Sequence, residues 1–117
     1  MDTKGKLAEK NAQQWLLKQG LKLITTNYNC RFGEIDLIML DQSYLVFIEV
    51  RLRKNQLYGG AASSVNLKKQ QKIITTANHF LMCNKKLAQH SCRFDVIAIE
   101  SISAHSTPVW YKDAFRT

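Results

Sequence analysis

Two apolar runs in the middle of the chain, at about residues 34–40 and 45–52, are separated by a short polar stretch. Runs of this length around a polar turn predict a β-hairpin. Outside the hairpin, apolar spacing predicts a helix at residues 4–19, a strand at 21–28, a helix from residue 65 or 66 to 84, and a strand at 93–100. The order αβββαβ therefore predicts an α/β fold with helices packed on a mixed β-sheet. Residues 109–115 are expected to cover an edge of that sheet.

Acidic side chains interrupt both apolar runs of the hairpin. Side chains alternate along a strand, so Ile35, Leu37 and Met39 are expected on one face of the first strand, with Glu34 and Asp36 on the other. A four-residue turn, residues 41–44, pairs Leu40 with Leu45 and places Asp36 opposite Glu49. The same register places Glu34 opposite Arg51. A turn of odd length would put the two acids on different faces, because a slip of one residue inverts a strand.

Directly opposed residues have Cβ atoms about 5 Å apart. Two carboxylates at that separation repel one another unless a cation lies between them or one takes up a proton. Mg²⁺ or Mn²⁺ suits such oxygen ligands, and Arg51 places a fixed positive charge two residues beyond Glu49. A metal ion, an acid pair and an adjacent cation are the components of phosphodiester hydrolysis. The same side chains also fit ordinary cross-strand ion pairs on an exposed sheet face, and spacing alone leaves both interpretations open.

The hairpin resembles the Asp-(x)n-Glu-x-Lys signature of the PD-(D/E)XK nuclease superfamily. Gly-Glu-Ile-Asp-Leu-Ile at residues 33–38 and Leu-Val-Phe-Ile-Glu-Val-Arg-Leu-Arg at residues 45–53 resemble the YraN family of small bacterial proteins, described as related to Holliday junction resolvases. Further matching positions are Gly5, Glu9, Ala12, Tyr58, Gly59, Lys69, Gln70 and residues 93–96. The resemblance implies a restriction-endonuclease-like core. It also implies metal-dependent endonucleolytic cleavage of DNA, including branched or junction DNA.

The resemblance also assigns roles to individual residues. Asp36 and Glu49 would bind Mg²⁺ or Mn²⁺, with Glu9 or Glu34 assisting, and Arg51 would steady the scissile phosphate. Arg51 stands where the superfamily usually has lysine. Because arginine is effectively never deprotonated, any general base must be a carboxylate or a water activated by the ion. Glu9 also fits a solvated position on the face of the first helix, which its spacing slightly favours.

Charge composition favours a polyanionic partner. The 117 residues include 17 Lys and Arg but 9 Asp and Glu, which gives a formal net charge of +8. Such an excess binds nucleic acid through counterion release, so DNA is the expected partner, while an anionic membrane is disfavoured by the lack of a strongly amphipathic basic helix. The residues expected to contact the DNA backbone are Arg31, Arg53, Lys54, Lys68, Lys69 and Lys72. Each is also compatible with simple solvation.

Length and composition predict one domain, residues 1–117, of ordinary globular character. The polar amino terminus predicts no signal peptide, and no apolar run approaches the length of a membrane span. Three cysteines without a Cys-x-x-Cys pair indicate a reduced, cytoplasmic setting. A zinc set of His79, Cys83, His90 and Cys92 has suitable ligand types, but its spacing matches no zinc knuckle.

Three further expectations concern assembly and structure. A homodimer is expected from the two-fold geometry that cutting a junction requires. Asn66 or Ser64 is expected to cap the second helix, and Asp95 to be a structural partner for a nearby arginine. The competing functional hypothesis is a DNA-binding or repair-accessory module that kept the nuclease fold without turnover. A third is a structural partner of another protein, with incidental charge.

Overall fold

The structure, a computed structural model, describes residues 3–52, 65–100 and 107–117. Its elements are α1 (Thr3–Lys18), β1 (Lys22–Cys30), β2 (Gly33–Asp41), β3 (Tyr44–Leu52), α2 (Leu67–Cys83), a 3₁₀ turn (Leu87–Gln89), β4 (Ser91–Ile99) and β5 (Val109–Phe115). Several predicted features, namely Arg53, Lys54, the Tyr58-Gly59 motif and the Ser64 cap, lie outside the described residues. No helix within the described ranges is both long and apolar enough to cross a membrane.

The five strands form one mixed sheet in the order β1-β2-β3-β4-β5. All neighbours are antiparallel except β3 and β4, which are parallel. Parallel neighbours need a long crossover connection, and α2 lies between them in the sequence. The predicted mixed α/β fold is confirmed, with one strand added: β5 pairs with β4 rather than only covering its edge. The register between β4 and β5 shifts between Phe94 and Val96, so the pairing of β5 is not regular along its length.

Two hydrophobic cores lie on opposite faces of the sheet. The α1-side core contains Ala8, Ala12, Leu16, Leu21, Leu37, Met39, Val46, Ile48, Ile97 and Ile99. The α2-side core contains Ile35, Ile38, Leu45, Phe47, Val65, Ile73, Ala77, Phe80, Phe94, Val96, Ala98 and Phe115. Because the central strand β3 is covered on both faces, its buried stretch is a continuous apolar run at residues 45–48, followed by the buried Glu49.

One predicted face assignment in β2 is wrong. Ile35 belongs to the α2-side core, whereas Leu37 and Met39 belong to the α1-side core. The alternation of faces therefore breaks at Asp36. In the β1–β2 ladder, the position across from Asp36 falls at Asn27, whose backbone is left-handed with a φ of 50°. A residue in that conformation interrupts the regular pleat, so the pattern of one strand alone could not show the break.

Candidate metal and nucleic-acid site

The β2–β3 hairpin brings the candidate acids together. Its ladder runs from the pair Asp41–Tyr44 to the pair Leu37–Ile48 and includes the predicted pair of Leu40 with Leu45. That part of the predicted register is confirmed, and the tight turn itself is residues 42–43, within the predicted 41–44. Since the register is even, Leu37 and Ile48 lie on the same face of the sheet, and both belong to the α1-side core. The alternation of β2 breaks immediately beyond this pair, at Asp36.

Next to Leu37, the side chain of Asp36 bonds to the backbone of β3. Its Oδ2 accepts a hydrogen bond from the backbone N–H of Val50 at 2.8 Å. The β2–β3 ladder ends at the pair of Leu37 with Ile48, so it contains neither the expected pair of Asp36 with Glu49 nor that of Glu34 with Arg51. On the other edge of β2, Glu34 pairs with Asn29 of β1. Arg51 is half-buried in β3. The backbone ladder thus ends next to Asp36 and Glu49.

Asp36 and Glu49 interact directly. Burial, the hydrogen bond to Glu49 and the negative charge of Glu49 together raise the pKa of Asp36 from its ordinary 3.8 to about 8, although the Val50 N–H opposes this rise. Glu49 is itself buried, with 8% of its surface exposed. Without a cation, Asp36 therefore holds a proton at neutral pH. When the proton leaves, the two carboxylates provide negative charge and oxygen atoms, which are what a hard divalent ion prefers.

The amino-terminal end of α2 supplies positive charge to the same place. Lys69 Nζ lies 3.9 Å from Glu49 Oε2. The predicted helix cap at Asn66 is confirmed, because its side chain accepts a hydrogen bond from the Lys69 backbone N–H at 2.9 Å. An open cleft of about 440 Å³ joins these groups and is lined by Gly33, Glu34, Asp36, Glu49, Asn66, Lys68, Lys69, Lys72 and Ile73. We call it the acidic–basic cleft.

Asn27 connects a third and a fourth acid near the cleft. Its Nδ2 donates to Glu9 Oε1 at 2.7 Å and to Glu34 Oε1 at 3.1 Å. Burial raises the pKa of Glu9 against the lowering effect of the Asn27 bond, and the charges of Asp36 and Glu34 raise it further. The structure thus places Glu9 within the electrostatic reach of the acid pair. Sequence reasoning missed Asn27, because its role depends on a left-handed backbone that asparagine tolerates better than most residues.

The remaining candidates occupy separate places. Arg31 lies on the β1–β2 turn, with its guanidinium carbon 4.8 Å from the centroid of the Phe32 ring. Within the described ranges, no group of three or more His, Cys, Asp or Glu side chains is arranged to hold a metal ion. The predicted zinc set is therefore wrong for these residues. Two of its members have other partners: His79 is hydrogen-bonded to Tyr28, and His90 to the carbonyl of Ser43.

Asp95 is structural, as predicted. It is fully buried in β4 and accepts hydrogen bonds from the Arg93 guanidinium, the Trp110 indole and the backbone N–H of Asp113. Arg93 also pairs with Asp41 at 2.9 Å. This network ties β4 to β5 and to the turn end of the hairpin. Asp95 is therefore committed to these donors and is not a further ligand for the cleft.

The mixed sheet, its flanking helices and the acid pair at the open end of the hairpin define an α/β protein with a nuclease-like core. The chain belongs to the uncharacterised protein family UPF0102, whose sequence model matches residues 8–99. Those residues include the whole acidic–basic cleft, and the match confirms the resemblance found in the sequence.

Relatives named UPF0102 protein cover almost the whole chain. The one from Psychromonas ingrahamii is 56% identical over 115 residues, which is 98% of this chain and 91% of the relative. The one from Saccharophagus degradans is 52% identical over 111 residues, or 95% and 91%. The one from Legionella pneumophila is 47% identical over 112 residues, or 96% and 93%.

Proposed function

We propose that this chain is a metal-dependent endonuclease that acts on DNA, including branched or junction DNA. The observation that carries the proposal is the contact between Asp36 and Glu49 inside a cleft whose other wall carries Lys68, Lys69 and Lys72. A paired set of carboxylates beside several cations is costly for stability alone, since opposite charges could be paired one to one at the surface. A divalent ion would neutralise the two carboxylates, and a phosphate oxygen would pair with the lysines.

Asp36 and Glu49 would hold Mg²⁺ or Mn²⁺. When bound, such an ion polarises a phosphoryl oxygen and lowers the pKa of a water molecule. Asp36 must release the proton that its raised pKa retains before its carboxylate acts as a ligand. The Val50 N–H holds Asp36 Oδ2 in place, so the carboxylate is oriented by the backbone of β3 before any ligand arrives.

The lysines and the start of α2 would bind the substrate backbone. Free N–H groups and the dipole at a helix amino terminus favour a phosphate, and Lys68, Lys69 and Lys72 add their charges at that end. Lys69, next to Glu49, is placed to contact both the acid pair and a phosphate oxygen. Arg51 would act as a clamp on the phosphate and not as a base, because its guanidinium keeps its proton.

The alternative is a non-catalytic nucleic-acid-binding or DNA-repair accessory module on the same fold. Arg51 at the usual lysine position favours it, as does the finding that no cluster of three metal-binding side chains occurs in residues 3–52, 65–100 and 107–117. Both functions require the basic wall of the cleft. Only the endonuclease requires the acid pair for turnover.

Cleavage assays separate the two. The purified chain is incubated with a four-way junction, a flap and a linear duplex in Mg²⁺, Mn²⁺ or EDTA. The endonuclease predicts metal-dependent products that disappear in Asp36→Asn and Glu49→Gln. They persist in the control Asp113→Asn, which removes one negative charge from β5, at the Asp113–Arg116 ion pair. Salt-sensitive binding without cleavage identifies the accessory module, whereas cleavage that survives in both cleft variants indicates a contaminating nuclease.

A further inference from the structure

The turn between β1 and β2 presents an aromatic ring beside the acidic–basic cleft. Phe32 is 39% exposed, although a phenyl ring of this size is normally buried. The Arg31 guanidinium carbon lies 4.8 Å from its ring centroid, and the His79 ring of α2 lies at 6.0 Å with its plane tilted by 62°. The exposed ring thus has a cation over it and an imidazole in edge-to-face contact.

Contacts with α2 hold this turn in place. Gly33 has a φ of 148°, and a Cβ at that position would lie 3.2 Å from Thr76 Oγ1, so the turn backbone packs closely on the helix. His79 is fixed by its hydrogen bond to the Tyr28 hydroxyl. The Phe32 ring is therefore displayed on a packed turn, which lowers the entropy lost when a ligand stacks on it.

The ring also lies close to the cleft along the expected path of a strand. Gly33, the next residue, lines the cleft together with Lys72. Lys72 and His79 lie about two turns apart in α2, or roughly 10 Å at the rise of an α-helix. A nucleic-acid strand with a phosphate at the lysines would therefore bring a base to Phe32 within a few nucleotides.

We propose that Phe32, with Arg31 and His79, forms a stacking site for an unpaired nucleobase. Bases stack readily on aromatic rings and on arginine planes in single strands, whereas a base inside a duplex must first be unstacked at a cost of a few kcal/mol. The site therefore selects nucleic acid with single-stranded nucleotides next to the cleft, such as a flap or an open branch point. The inference rests on the proposed function for the position of the scissile phosphate.

Binding in EDTA tests the stacking site without cleavage. Fluorescence anisotropy compares a duplex carrying a single-stranded flap with a blunt duplex of equal length. Phe32→Ala is expected to weaken flap binding about tenfold, the effect of losing one stacked base, and to change blunt-duplex binding by less than about twofold. Phe32→Trp is expected to restore binding, whereas Phe32→Leu, which keeps an apolar side chain without a ring, is not. Leu23→Ala, at a matched exposure of 38% on β1, is the control and should bind as the wild type does.

Two results would overturn the inference: Phe32→Leu binding the flap like the wild type, or Phe32→Ala weakening flap and blunt duplex equally. The outcome is separate from that of the proposed function. Asp36→Asn and Glu49→Gln should keep the flap preference while losing cleavage. A preference that depends on the Phe32 ring in a protein that never cleaves would refute the endonuclease and leave the stacking site standing.

Discussion

Replacing Asp36 by asparagine should make the free energy of unfolding less dependent on pH. In the folded wild type the pKa of Asp36 is raised to about 8, whereas the unfolded chain has the ordinary value of 3.8. Between these values the folded state holds one more proton than the unfolded state, so stability falls as pH rises. One proton corresponds to about 1.4 kcal/mol per pH unit. The full difference between the two pKa values of Asp36 gives an upper limit of about 6 kcal/mol.

Asp36→Asn removes this titration and keeps an oxygen that can accept from the Val50 N–H. Urea unfolding in EDTA, at several values between about pH 5 and about pH 7, measures the difference between variant and wild type. The free energy of unfolding of the variant should rise relative to that of the wild type by up to about 1.4 kcal/mol per pH unit. Glu49→Gln should lower the pKa of Asp36 in the folded protein, since Glu49 contributes to raising it. The pH range over which stability falls should therefore become narrower. If the free energy of unfolding changes with pH by the same amount in wild type and Asp36→Asn, the reasoning is refuted.

Three further substitutions test the packing around the site, each by urea unfolding. Asp95→Asn should cost about 1–3 kcal/mol, because Arg93 keeps only Asp41 as an ion-pair partner and one acceptor oxygen of Asp95 is lost; unchanged stability would contradict the buried network. Gly33→Ala should cost about 1–3 kcal/mol, because a φ of 148° strains any residue with a side chain and the added Cβ would lie only 3.2 Å from Thr76 Oγ1; unchanged stability would count against the close packing of the turn. Asn66→Ala should cost about 1 kcal/mol and Asn66→Ser much less, and equal losses would exclude the cap.

The sequence was sufficient for the parts of the fold that repeat regularly. The register of Leu40 with Leu45 follows from the period of two along each strand and the length of the polar stretch. Asp95 was identified as structural because a single acid between apolar neighbours must find a buried donor, and it does so in Arg93. Such inferences need only local pattern and the cost of burying an unpaired charge.

The sequence was insufficient where tertiary contacts override the local pattern. The alternation of β2 fails at Asp36, because the carboxylate bonds to Val50 and the neighbouring strand has a left-handed residue at Asn27. The bridging of Glu9 and Glu34 by Asn27 joins three segments that no local rule connects. Strand β5 forms because the backbone groups on the edge of β4 need hydrogen-bond partners. The sequence of residues 109–115 alone did not reveal this pairing.

The central claim is that Asp36 and Glu49 share one divalent cation, and calorimetric titration with Mn²⁺ tests it most directly. Titrations at about pH 7 in buffers of different ionisation enthalpy report both the number of ions bound and the number of protons released. One ion should bind per chain with the release of about one proton, since Asp36 must give up its proton to become a ligand. Asp36→Asn should abolish the proton release, and Glu49→Gln should weaken binding. Wild-type protein that binds no ion, or binds one with the same proton count as Asp36→Asn, would contradict the claim.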